Sequence, residues 1–202
     1  LPTEFDRATC DRIIHFIRSL YPGKDVIHLH EPVFRGREKE YLTKVIDSTY
    51  VSYAGEFVGQ FEEMMGAITG AGFAVAMVNG TAALHIALKL AGVQPGDEVI
   101  TQALTFVATA NAISYCGARP LFLDVSPDTL GLSPEALEAF LAAHARIKSD
   151  TCYNRLTGRR LAACLPVHTF GHPCRLDRLG EICRRYHLPL IEDAAEGLGS
   201  TY

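Results

Sequence analysis

The 202-residue sequence lacks the marks of membrane, nucleic-acid-binding and disulfide-rich secreted proteins. No apolar stretch approaches the roughly 20 residues that a membrane-spanning helix needs. The net charge is −4 and the basic residues are scattered, so no electrostatic footprint for nucleic acid is present. The six cysteines form no Cys-x-x-Cys pair and lie mostly in apolar segments, which is typical of reduced thiols. We therefore predict a cytoplasmic protein that binds neither nucleic acid nor membranes.

One short stretch, CLPVHTFGHPC, contains residue types that bind zinc, namely Cys164, His168, His172 and Cys174. The apolar residues at its start predict a strand followed by a turn. Such a strand and turn differ from the helix face or knuckle that gathers zinc ligands. We therefore predict no metal site, with zinc at this stretch as the alternative.

The first third of the chain is predicted to be helical, and the rest alternates between strands and helices. An amphipathic stripe predicts a first helix that ends at Pro22-Gly23, and two more helices are predicted over 36–48 and 57–68. We assign residues 1–70 to an N-terminal helical segment and residues 71–202 to an α/β domain. The stripe consists of Ile13, Phe16, Ile17 and Leu20.

The alternating part of the chain predicts a parallel sheet with helices on both faces. The predicted strands cover residues 73–78, 98–101, 120–124, 161–167 and 188–192. The predicted helices cover residues 81–90, 106–115, 134–143 and 175–186. Residues 144–160 are polar and are predicted to form a surface excursion with a turn at Thr157-Gly158. Ligands of such sheets bind at the carboxyl ends of the strands.

The stretch AMVNGTAALHI predicts an anion site at one of these strand ends. An apolar run breaks at Asn79-Gly80-Thr81 and restarts at once as a helix. The first turn of a helix presents unpaired N–H groups and a positive dipole end, which favour a phosphate. Gly80 permits a tight turn, Thr81 can cap the helix and offer a hydroxyl, and Ala82 leaves room. The alternative is an ordinary strand–helix junction capped by Thr81.

The stretch PLIEDAAEGLGS carries a carboxylate to the same edge of the predicted sheet. Asp193 follows an apolar strand, and a carboxylate there is costly to bury unless a cation meets it. It could cap a helix, bind magnesium or pair with a protonated heterocyclic nitrogen. Taken with the phosphate site and Phe106, the third possibility fits pyridoxal phosphate, with its ring on Phe106 and its nitrogen on Asp193.

Four motifs closely resemble the sugar aminotransferases of the DegT/DnrJ/EryC1/StrS family, over nearly the whole chain. Two further stretches, HEPVFRGREKEYL and VSYAGEFVGQFEE, resemble the branch that makes legionaminic acid and related diamino sugars. The resemblance implies fold type I, with a large, mostly parallel α/β domain and a smaller C-terminal domain. The four motifs are NGTAALHIAL, PGDEVITQALTFVATANAI, PVHTFGHP and LPLIEDAAEGLGS.

The resemblance assigns cofactor contacts to five residues. Thr81 and the backbone of Gly80 and Ala82 correspond to the cup that holds the phosphate of pyridoxal phosphate. Phe106 corresponds to the aromatic residue that covers the cofactor ring. Asp193 corresponds to the acid that keeps the pyridine nitrogen protonated, which makes it a catalytic residue as well.

Two more residues match the family pattern less directly. Glu196 corresponds to a position near the phenolic oxygen of the ring, and His168 corresponds to a strand-end histidine with a catalytic or pocket-lining role. Considered one at a time, these residues have ordinary alternatives. Phe106 could be a core residue, Glu196 a solvated helix residue and His168 a hydrogen-bonded core histidine.

The resemblance also implies a reaction. Glutamate would give its amino group to pyridoxal phosphate, which would pass it to a nucleotide-linked 4-keto-6-deoxy sugar for a bacterial surface polysaccharide. The active site of this family lies at a homodimer interface, so a homodimer is expected at full length.

One family feature is missing from the sequence. The lysine that binds the cofactor covalently lies in a Ser-Phe…Lys segment beyond EDAAE, and no lysine here has that context. We therefore expect an N-terminal part of the enzyme, truncated before the last strands and the small domain and inactive alone. The alternative is a non-catalytic relative that binds a cofactor or a partner. A nicotinamide dehydrogenase is disfavoured, because ITGAGFAV lacks the third glycine and precedes its strand.

Overall fold

The computed structural model describes residues 6–28 and 31–201, and the chain divides after Glu56 into two compact units. The first unit contains α1 (Arg7–Leu20) and α2 (Glu38–Ser48), so both predicted helices are confirmed. Asp6 begins α1 by accepting a hydrogen bond from the Thr9 N–H at 2.8 Å. The apolar stripe of α1 is exposed to solvent.

The second unit is an α/β structure whose sheet has the strand order β2-β1-β5. All three strands are parallel, and helices lie on both faces of the sheet. In the described residues, no helix is both long enough and apolar enough to cross a membrane. The elements in chain order are α3 (Glu56–Thr69), α4 (Gly80–Leu90), β1 (Glu98–Gln102), α5 (Val107–Tyr115), β2 (Arg119–Leu123), α6 (Pro134–His144), β3 (Ala145–Lys148), β4 (Thr151–Asn154), β5 (Leu161–Leu165), a 3₁₀ turn (Thr169–Gly171) and α7 (Leu176–Arg185).

The two faces of the sheet have separate apolar cores. Val99 and Ala163 point to one face, where they pack against α4 and α5. Ile100 and Cys164 point to the other face, where they pack against α6 and α7. This alternation follows from the two-residue repeat of a strand. The alternation matters for the site, because the side chains of consecutive residues at a strand end point to opposite faces of the sheet.

The predicted strand over residues 188–192 is present only as two isolated parallel bridges, which join Cys164 to Leu190 and Val167 to Asp193. The prolines explain why the ladder is broken. Pro166 and Pro189 lack an N–H group, so each accepts through its carbonyl but cannot donate to the neighbouring segment. Pro166 also ends β5 two residues earlier than predicted. Segment 188–193 still forms the fourth row of the sheet at these bridges.

The predicted strand over residues 73–78 is wrong, because this segment forms no strand. Phe73 is 95% exposed and Val78 is 88% exposed. The Ala76 N–H donates to the Glu62 carboxylate at 2.8 Å instead of to a neighbouring strand. Apolar composition suggests a strand, but a strand also needs a partner for its backbone groups. No segment of the described chain pairs with these residues.

The predicted surface excursion over residues 144–160 contains a β-hairpin, so that prediction is wrong in part. Strands β3 and β4 pair antiparallel around Ser149 and Asp150, both of which have left-handed backbone angles. The Asn154 side chain is buried and donates to the Glu98 carboxylate at 2.8 Å, which ties the hairpin to β1. The predicted turn at Thr157-Gly158 is confirmed, with the Gly158 N–H donating to the Asn154 carbonyl at 2.8 Å.

Candidate functional site

The first turn of α4 has unpaired donors, and it lies at the carboxyl edge of the sheet. The short connection 91–97 joins the end of α4 to the start of β1. The 11 residues of α4 rise about 16 Å, which returns its first turn to the level where β1 ends. The N–H groups of Gly80 and Thr81 have no acceptor among the described residues.

Asn79, and not Thr81, caps this helix. The Asn79 side-chain oxygen accepts from the Ala82 N–H at 2.9 Å, and its carbonyl accepts from the Ala83 N–H at 3.1 Å. The prediction that Thr81 serves as the cap is therefore corrected, and the Thr81 hydroxyl is left for another partner. Asparagine is among the preferred residues at this position, so the sequence contained the signal. Because Asn79 occupies the Ala82 N–H, only two of the three predicted cup residues keep an open amide.

Phe106 lies directly before α5, where the chain leaves β1. Its side chain makes no capping bond, and the residue is 78% exposed. The alternative of a core phenylalanine is therefore wrong. An exposed aromatic side chain at the ligand edge of a parallel sheet is available to cover a flat ligand.

Asp193 is a buried carboxylate at the same edge. Its Oδ2 accepts from the Thr109 hydroxyl at 2.8 Å, and its Oδ1 accepts from the Ala195 N–H at 3.2 Å. No helix is present in the described residues 194–201, so the helix-cap alternative is wrong. Among the residues that the structure describes, no basic side chain forms an ion pair with it, and no group of three or more metal-binding residues is present. A buried charge with only neutral donors remains open to a cation.

Thr109 is a functional candidate that the sequence interpretation missed. It is fully buried on α5 and lies 2.8 Å from the Thr105 hydroxyl as well as from Asp193. The four-residue spacing of Thr105 and Thr109 was visible in TFVAT, but a threonine pair alone does not indicate a role. Asp193 is 84 residues away in sequence, so only the fold brings the three side chains together.

Glu196 holds the backbone of the 3₁₀ turn. Its carboxylate accepts from the Phe170 N–H at 2.7 Å. The alternative of a solvated helix residue is wrong about the helix, because Glu196 is exposed but lies in a turn. Phe170 has a left-handed backbone with φ 55°, which is strained for a non-glycine residue. Gly171 follows with φ 80°, and a Cβ there would lie 3.0 Å from the Glu196 carbonyl. The carboxylate thus stabilises a strained turn that follows β5.

His168 lies on the face of the sheet opposite to the Asp193 carboxylate. Its Nε2 is 3.5 Å from Glu192, and side chains of consecutive extended residues point to opposite faces. His168 also lines an open cavity of about 420 Å³ with Leu176 and Ser200. The structure therefore brings Thr109 and Asp193 together but does not bring His168 to Asp193.

The neighbours of His168 act on its pKa in opposite directions. The side chain of Cys174 and the carboxylate of Glu192 raise the pKa of His168 to about 9. The Cys174 N–H opposes this rise, because it donates to Nδ1 at 3.0 Å and that bond needs the lone pair that protonation removes. The Cys174 thiol donates to the Val167 carbonyl at 3.1 Å. The Cys174 N–H contact therefore favours a hydrogen on Nε2, facing Glu192, and works against the rise in pKa that the Cys174 side chain and Glu192 cause.

Gln102 ends β1 and joins three loops at the carboxyl edge, and the sequence interpretation also missed it. Its side-chain oxygen accepts from the Val167 N–H at 3.1 Å. Its amide nitrogen lies 2.8 Å from the Thr169 hydroxyl, 3.0 Å from the Leu104 carbonyl and 3.2 Å from the Leu130 carbonyl. Two amide hydrogens therefore serve three acceptors. The hint in the sequence was a glutamine at the end of an apolar strand, and the structure shows that this glutamine is fully buried.

Taken together, one side of this edge offers two open N–H groups, a hydroxyl, an exposed aromatic ring and a buried carboxylate. Helices α4 and α5 pack on the same face of the sheet, so the first turn of α4 and the Thr109–Asp193 pair share that face. The N–H groups suit a phosphate, and the carboxylate suits a cationic nitrogen in a flat ring. These donors and acceptors fit pyridoxal phosphate, which combines both groups in one molecule.

Residues 32–202 match the model of the DegT/DnrJ/EryC1/StrS aminotransferase family. The chain is 39% identical over 176 residues to the GDP-perosamine synthase of Caulobacter vibrioides, a match that covers 87% of this chain and 43% of that protein. It is also 39% identical over 176 residues to the putative pyridoxal phosphate-dependent aminotransferase EpsN of Bacillus subtilis, with the same coverage of 87% and 43%. The chain thus spans less than half the length of these relatives.

A solved structure shows the same fold. The crystal structure of 3-amino-5-hydroxybenzoic acid synthase has a TM-score of 0.72 at 31% identity, over 89% of this chain and 43% of that chain. The predicted α/β fold of the fold type I aminotransferase large domain is therefore confirmed, with a mostly parallel sheet flanked by helices. The narrower prediction of the legionaminic acid branch stays a prediction.

Proposed function

Because the chain belongs to the DegT/DnrJ/EryC1/StrS aminotransferase family, we propose that it forms the cofactor-binding part of a pyridoxal phosphate-dependent sugar aminotransferase. The observation that carries this proposal is the buried Asp193 carboxylate, which has two neutral donors and lies on the same face as the first turn of α4. A heterocyclic cation with a phosphate group is the ligand that such a site fits best.

Each residue of the site has one task in this proposal. The open N–H groups of Gly80 and Thr81, with the Thr81 hydroxyl, hold the phosphate. The exposed Phe106 covers one face of the ring and keeps water away from it. Asp193 keeps a proton on the pyridine nitrogen. When bound, pyridoxal phosphate supplies an electron sink for the negative charge that develops at the carbon of the amino donor.

The remaining predicted residues take supporting tasks. Ala82 leaves space beside the phosphate, while its N–H serves the Asn79 cap. Glu196 holds the turn at Phe170 through one carboxylate oxygen, and we propose that it lies near the phenolic oxygen of the ring. We assign His168 a pocket-lining role on its own face of the sheet, where it contacts Glu192 and Cys174.

The acceptor in this proposal is a nucleotide-linked 4-keto-6-deoxy sugar, and the amino donor is glutamate. The name of the GDP-perosamine synthase supports a nucleotide sugar, because perosamine there is carried by GDP. The name of EpsN supports the cofactor. We further propose a homodimer for the full-length protein and a role in bacterial surface-sugar synthesis, in the cytoplasm.

The experiment that tests this function uses the full-length gene product that carries this sequence. The purified protein is loaded with pyridoxal phosphate and mixed with glutamate and either GDP-linked or dTDP-linked 4-keto-6-deoxy sugar. Mass spectrometry of the sugar should show replacement of the keto oxygen by an amino group, together with formation of 2-oxoglutarate. A full-length protein that binds the cofactor but aminates no nucleotide sugar would support the alternative of a binding module.

We expect the 202-residue chain alone not to transfer amino groups. Lys89 is the lysine nearest in sequence to the phosphate end, but it lies in the last turn of α4, about 14 Å along the helix from Gly80. The chain is incubated with pyridoxal phosphate, reduced with borohydride and examined by mass spectrometry. Scattered, substoichiometric labelling of lysines is expected. One stoichiometrically labelled lysine, with amino transfer from glutamate, would contradict the expectation.

Replacing Thr81 by valine should weaken cofactor binding at full length. The change removes one hydrogen bond to a charged phosphate, worth about 1.5–3 kcal/mol, so the dissociation constant should rise by roughly one to two orders of magnitude. The measurement is a fluorescence or absorbance titration with pyridoxal phosphate. Thr81→Ser keeps the hydroxyl and serves as the control. An unchanged dissociation constant for Thr81→Val would remove Thr81 from the phosphate site.

A further inference from the structure

The contact between Thr109 and Asp193 suggests a role for a residue outside the cofactor shell. We propose that Thr109 is a positioning residue, which aligns the Asp193 carboxylate and stabilises its charge so that a proton stays on the pyridine nitrogen of the cofactor. The proposal rests on the proposed function, because it presupposes that Asp193 meets this nitrogen. It adds a residue that does not itself touch the cofactor.

The direction of the hydrogen bonds follows from chemistry. An ionised carboxylate can only accept, so the Thr109 hydroxyl donates its one hydrogen to Asp193 Oδ2 at 2.8 Å. The Thr105 hydroxyl, 2.8 Å from the Thr109 oxygen, is then the donor in the second bond, which is shorter than its other contact, to the Phe106 carbonyl at 3.3 Å. A chain of hydroxyls thus points at the carboxylate. Each bond polarises the next, which strengthens the last bond in a buried site.

The start of α5 places the hydroxyls of Thr105 and Thr109 beside the predicted ring site. The Thr109 N–H donates to the Phe106 carbonyl at 3.2 Å, so Thr105, Phe106 and Thr109 belong to one turn. The turn presents Phe106 to solvent and buries Thr109 completely. The same backbone turn therefore determines the position of the aromatic ring and of the hydroxyl that orients Asp193.

The chemical consequence concerns one shared proton. Between a pyridine nitrogen and a carboxylate, the proton lies on the nitrogen if the carboxylate charge is well stabilised. Donors to Oδ1 and Oδ2 supply that stabilisation, and they also fix the plane of the carboxylate. Without Thr109, the proton moves toward the carboxylate and the carboxylate can rotate. Both effects reduce the fraction of cofactor with a protonated ring nitrogen.

The experiment uses full-length protein loaded with pyridoxal phosphate that carries ¹⁵N in its ring. The ¹⁵N chemical shift reports whether the ring nitrogen is protonated, across a pH series. The variants are Thr109→Val, Thr109→Ser and, as the matched control, Thr101→Val. Thr101 is equally buried and its hydroxyl donates to the Leu165 carbonyl at 2.7 Å, but it does not contact Asp193. Asp193→Asn gives the reference ¹⁵N shift for a ring nitrogen that has lost its carboxylate partner.

Thr109→Val should lose ring-nitrogen protonation at lower pH than the wild type, and kcat should fall about tenfold or more with KM for the sugar unchanged. Thr109→Ser should restore the ring-nitrogen protonation and kcat, and Thr101→Val should have wild-type values of both quantities. If Asp193→Asn changes the ¹⁵N shift but Thr109→Val does not, the inference about Thr109 is overturned. If Asp193→Asn leaves the shift unchanged, the assignment of Asp193 in the proposed function fails instead. If Thr109→Val does not fold, Thr109→Ala is measured against the same criteria.

Discussion

Asp193→Asn should lose most amino transfer, by about a hundredfold or more in kcat, while the protein keeps its fold. The asparagine oxygen can still accept from Thr109, so the buried hydrogen bond survives the change. A neutral amide, however, cannot stabilise a positive charge on the pyridine nitrogen, and the electron sink of the cofactor weakens. The measurement is steady-state kinetics with glutamate and the nucleotide-linked ketosugar, together with the thermal unfolding midpoint.

Glu192→Gln is the matched control for this variant. Glu192 is the adjacent carboxylate, but its side chain lies on the opposite face of the sheet, where it contacts His168. The Glu192→Gln variant should therefore retain kcat within about twofold of the wild type. Wild-type turnover by Asp193→Asn would remove Asp193 from the catalytic role. Equal losses in both variants would instead point to a general disturbance of segment 188–193.

Gln102→Leu should cost about 3 kcal/mol of unfolding free energy, which makes it the largest stability effect that we expect. Leucine has a similar volume but leaves the Val167 N–H and the Leu130 carbonyl without their side-chain partner, whereas the Leu104 carbonyl still accepts from the Thr169 hydroxyl at 3.2 Å. Each buried polar group left unsatisfied costs about 1–3 kcal/mol, and the chain can relax around part of the loss. Urea unfolding monitored by circular dichroism gives the free energy.

Gln94→Leu is the matched control for this change, because Gln94 is exposed in the connection before β1. An effect within about 0.5 kcal/mol is expected for it. Cofactor binding should weaken in Gln102→Leu as well, since Leu104 is only two residues from Phe106. A loss of less than about 0.5 kcal/mol for Gln102→Leu would show that water or another group forms hydrogen bonds with the backbone groups of the three loops.

The helices and the parallel strands were predictable because their periodicity is local. Strand β1 and helices α4 and α6 lie within one or two residues of their predicted bounds. The strand predicted over residues 73–78 failed for a non-local reason, since a strand depends on a partner that its own sequence does not contain. The breaks at Pro166 and Pro189 were visible in the sequence, but their effect depends on which segments become neighbours.

The candidate site was predictable to the extent that its parts follow strand ends. Phe106 and Asp193 were placed at the correct edge from the alternation of strands and helices alone. The partners of Asp193 and the three loops bound by Gln102 were not predictable, because these contacts join residues that are far apart in sequence. The cap at Asn79 was predictable from local rules, but the adjacent Thr81 is also a capping residue type.

The long sequence separations at this edge have a consequence for synthesis of the protein on the ribosome. Gln102 reaches Thr169 across 67 residues, and Thr109 reaches Asp193 across 84 residues. The helices can form as soon as they emerge, but contacts across such distances form late because closing the chain costs entropy. The site cannot assemble until the segment around Asp193 has left the exit tunnel. On the proposed function, a nascent chain shorter than this has the first turn of α4 but lacks Asp193, and we therefore expect it to capture no cofactor before residue 193 is translated.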